Sequence, residues 1–203
     1  MITTALFLTE NQRAHSQMET TYERNNFYVI TGCSGGGKST IIDALRARGY
    51  ECVDEVGRNI VQQQMSIGGD ATPWQDQTKF RELLLSRYMY VYEQVEERTR
   101  PVFFDRGIPE GIGYSRLMKV PTLEHHRAAA RIYRYAKTVF VTPPWREIFR
   151  NDEERKHTYE DAVAEYELTL EIYPKYGYEL IEIPKGPISE RIDFILSQIP
   201  PSL

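Results

Sequence analysis

Eight consecutive residues have the types and spacing needed to hold phosphate groups: Gly32-Cys33-Ser34-Gly35-Gly36-Gly37-Lys38-Ser39. They match a glycine, four variable residues and then Gly-Lys-Ser, and Thr40 follows. Glycines let successive backbone N–H groups converge on phosphate oxygens, Lys38 supplies a positive charge, and the Ser39 hydroxyl is a ligand for Mg²⁺. The alternative is a glycine-rich turn with an exposed lysine. An apolar strand before the octet and an amphipathic helix after it favour a nucleotide site, with contacts from Gly32, Ser34, Gly35, Gly36, Gly37, Lys38, Ser39 and Thr40.

An acid and an arginine follow a second apolar run, Pro101-Val102-Phe103-Phe104. A carboxylate at the end of a buried strand joins the Mg²⁺ shell in proteins with such a loop, so Asp105 is a predicted metal ligand and catalytic residue. The Arg106 guanidinium could hold a substrate anion or reach the transferred phosphoryl group. The alternative is a helix-capping aspartate followed by an ordinary surface arginine.

Acidic residues also follow the strand predicted at residues 50–53, where Asp54 and Glu55 compete for one role. A carboxylate here could take the proton from an acceptor hydroxyl, and we favour Glu55 as this base. Arg58 comes about one helical turn later and is predicted to hold an anionic group of the acceptor. The alternative is a capping acid with an i,i+3 ion pair.

A segment dense in charged side chains, residues 145–156, precedes the helix predicted to begin at Tyr159. A lid in this place could close over the phosphates, exclude water and neutralise charge in the transition state, with Arg150 and Arg155 in that role. A bend or a short turn would be needed to point both arginines inward. The alternative is a solvated charged helix with internal ion pairs.

Composition narrows the class of protein. The chain has 203 residues and a formal net charge of −4, which fits one α/β domain and disfavours a dedicated nucleic-acid binder. We expect the two cysteines to be reduced thiols in the cytoplasm, and we assign the histidines at 125, 126 and 157 surface or structural roles rather than metal binding. No apolar stretch approaches the ~18–20 residues of a membrane span.

Short apolar runs alternate with amphipathic helical patterns along residues 26–203, after a polar segment at 1–25 that we expect to be a poorly ordered tail. Strands are predicted at 26–31, 50–53, 101–104, 138–141 and 178–183. Helices are predicted after Lys38 and at 56–67, 74–98, 123–134, 159–173 and 187–199. This alternation implies a parallel sheet with helices on both faces.

Further motifs accompany the phosphate loop (residues 32–40): Asp54-Glu55-Val56-Gly57-Arg58, Asp105-Arg106-Gly107 with Gly111 and Tyr114, Val141-Thr142-Pro143-Pro144-Trp145, Asn151-Asp152-Glu153-Glu154-Arg155, Tyr176-Gly177-Tyr178 and Arg191-Ile192-Asp193-Phe194-Ile195-Leu196. Together they resemble a family of AAA-type predicted ATPases of kinase-like build. That family includes the nicotinamide riboside kinase domain of NadR-type proteins. It also includes the nucleotide-binding domain of an animal protein needed for photoreceptor channel translocation.

The resemblance implies an α/β fold of the P-loop NTPase kinase-like type. This fold is a three-layer sandwich, with a parallel five-stranded sheet in the order 2-3-1-4-5 and a helical lid. The resemblance also implies Mg²⁺ and either ATP or GTP as cofactors. In kinases of this build the loop after the fifth strand often borders the base, so Lys185 to Ile188 are candidate base contacts.

Two functions compete for this sequence, and a third is less favoured. The first is a kinase that moves the γ-phosphoryl group to a small, nucleoside-like acceptor, in a pocket formed by Arg58, Trp74, Phe80, Arg81, Arg106 and Tyr114. The second is a slow NTPase that acts as a nucleotide-dependent switch and binds a protein or lipid partner. A nucleic-acid end kinase uses similar parts, but the acidic net charge disfavours it.

Overall fold

Five parallel strands form the central sheet of this protein. The computed structural model describes residues 21–96, 100–150 and 158–200. The strands are β1 (Phe27–Gly32), β2 (Glu51–Val53), β3 (Val102–Asp105), β4 (Thr138–Thr142) and β5 (Glu179–Glu182). Their order across the sheet is β2-β3-β1-β4-β5, which confirms the order implied by the family resemblance.

The residues of each strand explain its place in the sheet. β1 is aromatic and β-branched up to its terminal glycine, and all of its residues are buried, as suits a central parallel strand. Its register pairs Ile30 with Asp105 on one side and with Phe140 on the other. β5 lies at an edge, where Glu179 and Glu182 are exposed. Since parallel strands end at the same edge, the residues that follow β1, β2, β3 and β4 are brought together there.

Helices cover both faces of the sheet. Their bounds are α1 (Lys38–Ala47), α2 (Val56–Ile67), α3 (Gln77–Gln94), α4 (Glu110–Leu117), α5 (Glu124–Ile132), α6 (Tyr159–Lys175) and α7 (Ile188–Ser197). On one face, Ile41 and Leu45 of α1 pack with Ile192 and Ile195 of α7 against the sheet. The helices from α2 to α6 share a larger core with the opposite face, which includes Phe27 and Val29. The three-layer sandwich is therefore confirmed.

Capping residues account for where several helices begin. The prediction for α2 matches its observed bounds, whereas α3 begins at Gln77 rather than at residue 74. The Asp76 side chain accepts a hydrogen bond from the Lys79 N–H at 3.0 Å and so caps α3. Thr158 and Asp161 form a capping box at the start of α6, as the predicted start at Tyr159 requires.

A separate two-residue ladder precedes the sheet. Tyr22–Glu23 pairs in parallel with Tyr133–Arg134, and the Tyr22 and Tyr133 rings stack with centroids 5.1 Å apart. Tyr22 and Glu23, which the sequence assigns to the tail, thus pair in this ladder, and residues 1–20 lie outside the described residues. Within the described ranges, no helix has the length and apolar character needed to cross a bilayer.

Candidate active site

The phosphate loop connects β1 to α1 and depends on glycine at two places. Gly32 has φ of 111°, and a Cβ atom there would lie 2.3 Å from the Thr142 carbonyl oxygen. Gly37 has φ of 84° and caps α1, and a Cβ atom there would lie 2.7 Å from Nη1 of Arg191. Both residues combine left-handed backbone with a close neighbour, so no other residue type fits without strain. The N-terminal end of α1, which carries a partial positive charge, opens onto the loop.

One cleft of about 520 Å³ contains most of the loop and several predicted partners. Its lining includes Ser34, Gly35, Gly37, Lys38, Ser39 and Thr40 from the loop, Glu55 and Arg58 from the α2 side, and Arg150. Trp145, Ile148, Phe149, Gly186, Ile188 and Arg191 complete it. The structure thus brings the predicted nucleotide contacts together with the predicted base and the predicted anion clamp.

The Lys38 side chain is buried beneath the loop. Its Nζ atom donates to the carbonyl oxygens of Cys33 at 2.7 Å and of Gly32 at 3.3 Å. Burial lowers the pKa of Lys38, the Arg106 charge lowers it further, and Asp105 and Glu165 oppose the decrease. The ammonium therefore sits among charged groups from the end of β3 and from α6.

Arg106 lies among three carboxylates, those of Glu55, Glu110 and Glu165. We name these four residues the arginine cluster. Arg106 is 1% exposed, and its φ of 72° places a non-glycine residue in the left-handed region. Its guanidinium lies 3.1 Å from Glu165, 3.5 Å from Glu55 and 4.0 Å from Glu110. The arginine predicted to hold a substrate anion is therefore directed at carboxylates of the protein itself.

Glu165 connects the arginine cluster to the phosphate loop. Its Oε2 atom accepts a hydrogen bond from the Ser34 N–H at 2.6 Å, and its Oε1 atom accepts from Arg106 and, at 3.3 Å, from the Tyr114 hydroxyl. Burial would raise the pKa of Glu165, but Arg106, Lys38 and the Ser34 N–H outweigh burial and lower it. Glu165 is thus held as a carboxylate between the loop and the cluster.

Glu110 occupies a different environment in the same cluster. It accepts hydrogen bonds from the hydroxyls of Thr31 and Tyr173 and from the Gly107 N–H. Burial raises the pKa of Glu110, and neither Arg106 nor these hydrogen bonds cancel that effect. Two carboxylates on one guanidinium therefore have pKa values shifted in opposite directions.

The remaining predicted residues are spread over several places. Asp105 is 5% exposed at the end of β3, beside Lys38. Tyr114 lines a small cavity with Arg106 and Glu165. Trp74 is 57% exposed, whereas Arg81 and Phe80 are buried, and none of these three lines the cleft. Lys185 is exposed beside the cleft residue Gly186, and Arg155 lies outside the described residues.

The lid segment is described only in part. Residues 145–150 form a turn closed by hydrogen bonds from the N–H groups of Ile148 and Phe149 to the Trp145 carbonyl. The Arg150 side chain is exposed and donates to the Phe149 carbonyl at 2.8 Å. The rest of the predicted lid falls in residues 151–157, outside the described residues.

Two residues of the site were not predicted. Arg191 of α7 donates to the Gly36 carbonyl at 3.1 Å and lies over the Trp145 ring, and Glu165 of α6 binds Ser34 as described above. Each is a charged residue on the buried stripe of an amphipathic helix, Arg191 beside Ile192 and Ile195 and Glu165 between Ala162 and Thr169. A charged residue that interrupts the buried stripe of a helix is the sequence feature that could have identified both residues as part of a site.

The oxygen donors required by Mg²⁺ are present on the two elements predicted to supply them. Ser39 exposes its side chain to the cleft at the start of α1, and Asp105 ends the neighbouring strand β3. Mg²⁺ prefers one or two protein oxygens together with phosphate and water oxygens. A hydroxyl and a carboxylate at this edge of the sheet fit that preference.

A phosphate loop between β1 and α1, in a parallel sheet of this order with helices on both faces, defines the P-loop kinase-like fold. The family comparison then gives the group: a family model described as an AAA domain matches residues 27–191, and the chain belongs to that family. No curated protein sequence matches the chain.

Solved structures of P-loop kinases share the fold. The NadR protein in complex with NR has a TM-score of 0.63 at 17% identity, over 85% of this chain and 50% of that one. Thymidylate kinase from Candida albicans has a TM-score of 0.62 at 13% identity, over 87% of this chain and 92% of that one. Deoxyadenosine kinase from M. mycoides has a TM-score of 0.59 at 17% identity, over 85% of this chain and 97% of that one. At such low identities these likenesses establish the fold.

Proposed function

We propose that this protein is a kinase that transfers the γ-phosphoryl group of ATP or GTP to a small, nucleoside-like acceptor. One observation carries the proposal, the cleft of about 520 Å³ at the phosphate loop. It places the phosphate loop and the pair Glu55 and Arg58 on one shared cavity, as a transfer between two bound molecules requires. The family assignment and the kinase fold support the same class of reaction.

Residues of the cleft and its surroundings have distinct roles in the proposed mechanism. The loop N–H groups and Lys38 bind the phosphates, while Ser39 and Asp105 would hold Mg²⁺, which supplies charge neutralisation when bound. The acceptor oxygen attacks the γ-phosphorus, the bond to the β-phosphate oxygen breaks, and Glu55 takes the hydroxyl proton. Arg58 orients an anionic group of the acceptor. Arg150, with Arg155, neutralises charge from the lid.

A transfer assay tests the proposal. The protein is incubated with Mg²⁺ and γ-labelled ATP or GTP, together with pooled nucleosides and small metabolites, and in a separate reaction with a 5′-hydroxyl oligonucleotide. We expect label in a new small molecule, and we expect Lys38→Ala to abolish it. Lys137→Ala is the matched control, because Lys137 is 70% exposed at its side chain and pairs only with Glu179 among the described residues. Label that appears only as inorganic phosphate would contradict the kinase proposal.

A second candidate function, a nucleotide-dependent switch with an anionic partner, is supported by a different cavity. A cavity of about 580 Å³ beside α4, α5 and α6 is lined by Arg116, Arg127, Arg131, Arg134 and Lys175. Glu124 and Glu171 pair with four of these cations in exposed ion pairs, which hold little energy and can be exchanged for an anionic ligand. Nucleotide-dependent binding to anionic but not neutral vesicles would support the switch. If the protein binds anionic vesicles in neither the nucleotide-bound nor the nucleotide-free state, the result would count against the switch.

A further inference from the structure

Three side chains that can bind a metal meet between α3 and α5, away from the cleft. They are Glu82 on α3 and the adjacent His125 and His126 at the start of α5, and one ligand atom of each lies within 4.8 Å of the others. Nε2 of His125 lies 2.9 Å from a Glu82 carboxylate oxygen, and Nε2 of His126 lies 3.6 Å from the other. Sequence spacing alone did not indicate this group, because Glu82 is 43 positions from His125.

The burial of His126 separates this group from an ordinary surface cluster. Its side chain is 2% exposed, and among the described residues its ring nitrogens have no hydrogen bond of normal geometry, only looser contacts with Glu82 and the Arg81 backbone. Buried polar atoms in native proteins nearly always have a partner, so an imidazole in this condition calls for one. Glu82 and His125 have side chains 43% and 53% exposed, which leaves a path from solvent to the group.

We propose that Glu82, His125 and His126 form a binding site for a transition-metal cation of the zinc class. Two imidazoles and one carboxylate are the donor set of many zinc sites, and imidazole also suits copper and nickel. Two ligands bound at about 2.1 Å to one ion can be at most about 4.2 Å apart. The two carboxylate–imidazole distances already satisfy that limit, and the third separation needs only a small side-chain adjustment.

The charges around the group are compatible with this assignment. Burial lowers the pKa of His126, Arg81 and His125 lower it further, and Glu82 and the Arg81 backbone oppose the decrease. The buried Arg81 guanidinium repels a cation, and the Glu82 carboxylate offsets that repulsion.

The site has a clear structural consequence. It would join α3 to α5, two helices that pack on the same face of the sheet but are distant in sequence. Three protein ligands leave an open coordination position for water, on the side where His125 is exposed. A bound ion should therefore raise thermal stability without taking part in the phosphate cleft.

Zinc titration with matched variants tests the proposal. The tag-free protein is titrated with Zn²⁺ alone, in excess Mg²⁺ to occupy the phosphate site, and binding is measured by competition with a chromophoric chelator. We expect one tight site in the natural chain. We expect Glu82→Gln and His125→Ala, both at partly exposed positions, to weaken it more than about tenfold. Glu124→Gln is the control, because it removes the same charge from the neighbouring residue, whose carboxylate faces Arg127 and Arg131.

A second measurement identifies the ligands directly. Co²⁺ substituted for Zn²⁺ should give the visible absorption of a four-coordinate nitrogen and oxygen site, lost in both variants and retained in the control. Zn²⁺ should also raise the melting temperature of the natural chain and of Glu124→Gln only. Equal Zn²⁺ affinity in all four proteins, or no affinity above that for Mg²⁺, would overturn the proposal.

Discussion

The phosphate loop and the arginine cluster differ in how the chain brings their polar and charged groups together. The loop consists of consecutive residues, 32–40, and its binding groups are backbone N–H groups aligned by glycine conformations. The arginine cluster draws Glu55, Arg106, Glu110 and Glu165 from four places in the chain, and only the folded sheet brings them together. A site built from backbone groups can therefore be recognised from a local sequence pattern, whereas a cluster of side chains can be recognised only once the topology of the fold is known.

The two regions meet at two hydrogen bonds: Ser34 donates to Glu165 at 2.6 Å, and Arg106 donates to the Gly32 carbonyl at 3.4 Å. The Ser34 N–H belongs to the loop, and its acceptor Glu165 belongs to the cluster. Glu165 also lies on α6, the helix that directly follows the lid segment. A shift of α6 would therefore be felt at the loop through a buried, charge-assisted bond, so the loop and the segment next to the lid should respond together.

Removal of the central arginine should have the largest effect. Arg106→Met would leave buried carboxylates without their cation, and loss of one partner from a buried ion pair typically costs about 3–5 kcal/mol of unfolding free energy. Chemical denaturation measures the loss. Arg46→Met is the control, because Arg46 forms exposed ion pairs with Asp43 and Asp54 and should lose no more than about 1 kcal/mol. Equal losses in the two variants would mean that the cluster has no special role in stability.

Glu165→Gln should have an intermediate effect. The amide still offers an oxygen to Ser34 but loses the ion pair with Arg106, and hydrogen bonds to charged groups contribute about 1.5–3 kcal/mol. We also expect weaker nucleotide binding, because the loop loses its charged anchor. Denaturation and nucleotide titration on the same samples measure both effects. Unchanged nucleotide affinity would show that the loop and the cluster act independently.

The pH dependence of this variant sharpens the comparison. The folded pKa of Glu165 lies below its unfolded value of about 4.3, so ionised Glu165 stabilises the fold above that unfolded value. The contribution is lost as pH falls through the folded pKa. The stability advantage of the natural chain over Glu165→Gln should therefore be constant near neutral pH and shrink below about pH 4.

Glu55→Gln should have the smallest effect on stability and a large effect on turnover. Glu55 lines the cleft and also lies 3.5 Å from Arg106, so it belongs to both regions. We expect a loss of no more than about 1 kcal/mol in unfolding free energy. Loss of a general base should lower kcat by about 10²–10⁴-fold, while nucleotide affinity is retained. Normal turnover would remove Glu55 from the mechanism.

The sequence predicted the parts of the site that depend on local pattern. The phosphate loop, the strand ends at Asp105 and Glu55, and the sheet order implied by the family resemblance all appear in the structure. These features are readable because the carboxyl ends of parallel strands share one edge of the sheet.

The parts that depend on distant packing could not be predicted. Nothing near Glu165 or Arg191 in the sequence indicates the loop, since each reaches it from a helix more than a hundred residues away. Arg81 and Trp74 were predicted as acceptor contacts, yet neither lines the cleft, since Arg81 is buried and Trp74 is exposed outside it. Helical periodicity gives the buried side of a helix but not the element that it is buried against.

The short ladder at Tyr22–Glu23 sets a limit on how far the chain can be trimmed. The Tyr22 ring stacks on Tyr133, and the backbone carbonyl of Tyr22 accepts a hydrogen bond from the buried Tyr92 hydroxyl at 2.9 Å. A shortened protein that starts at Asn26 would expose an aromatic surface and take away one acceptor of Tyr92, although every residue of the central sheet would remain. A shortened protein should therefore begin no later than Thr21, so that the ladder is kept together with the sheet and the nucleotide site.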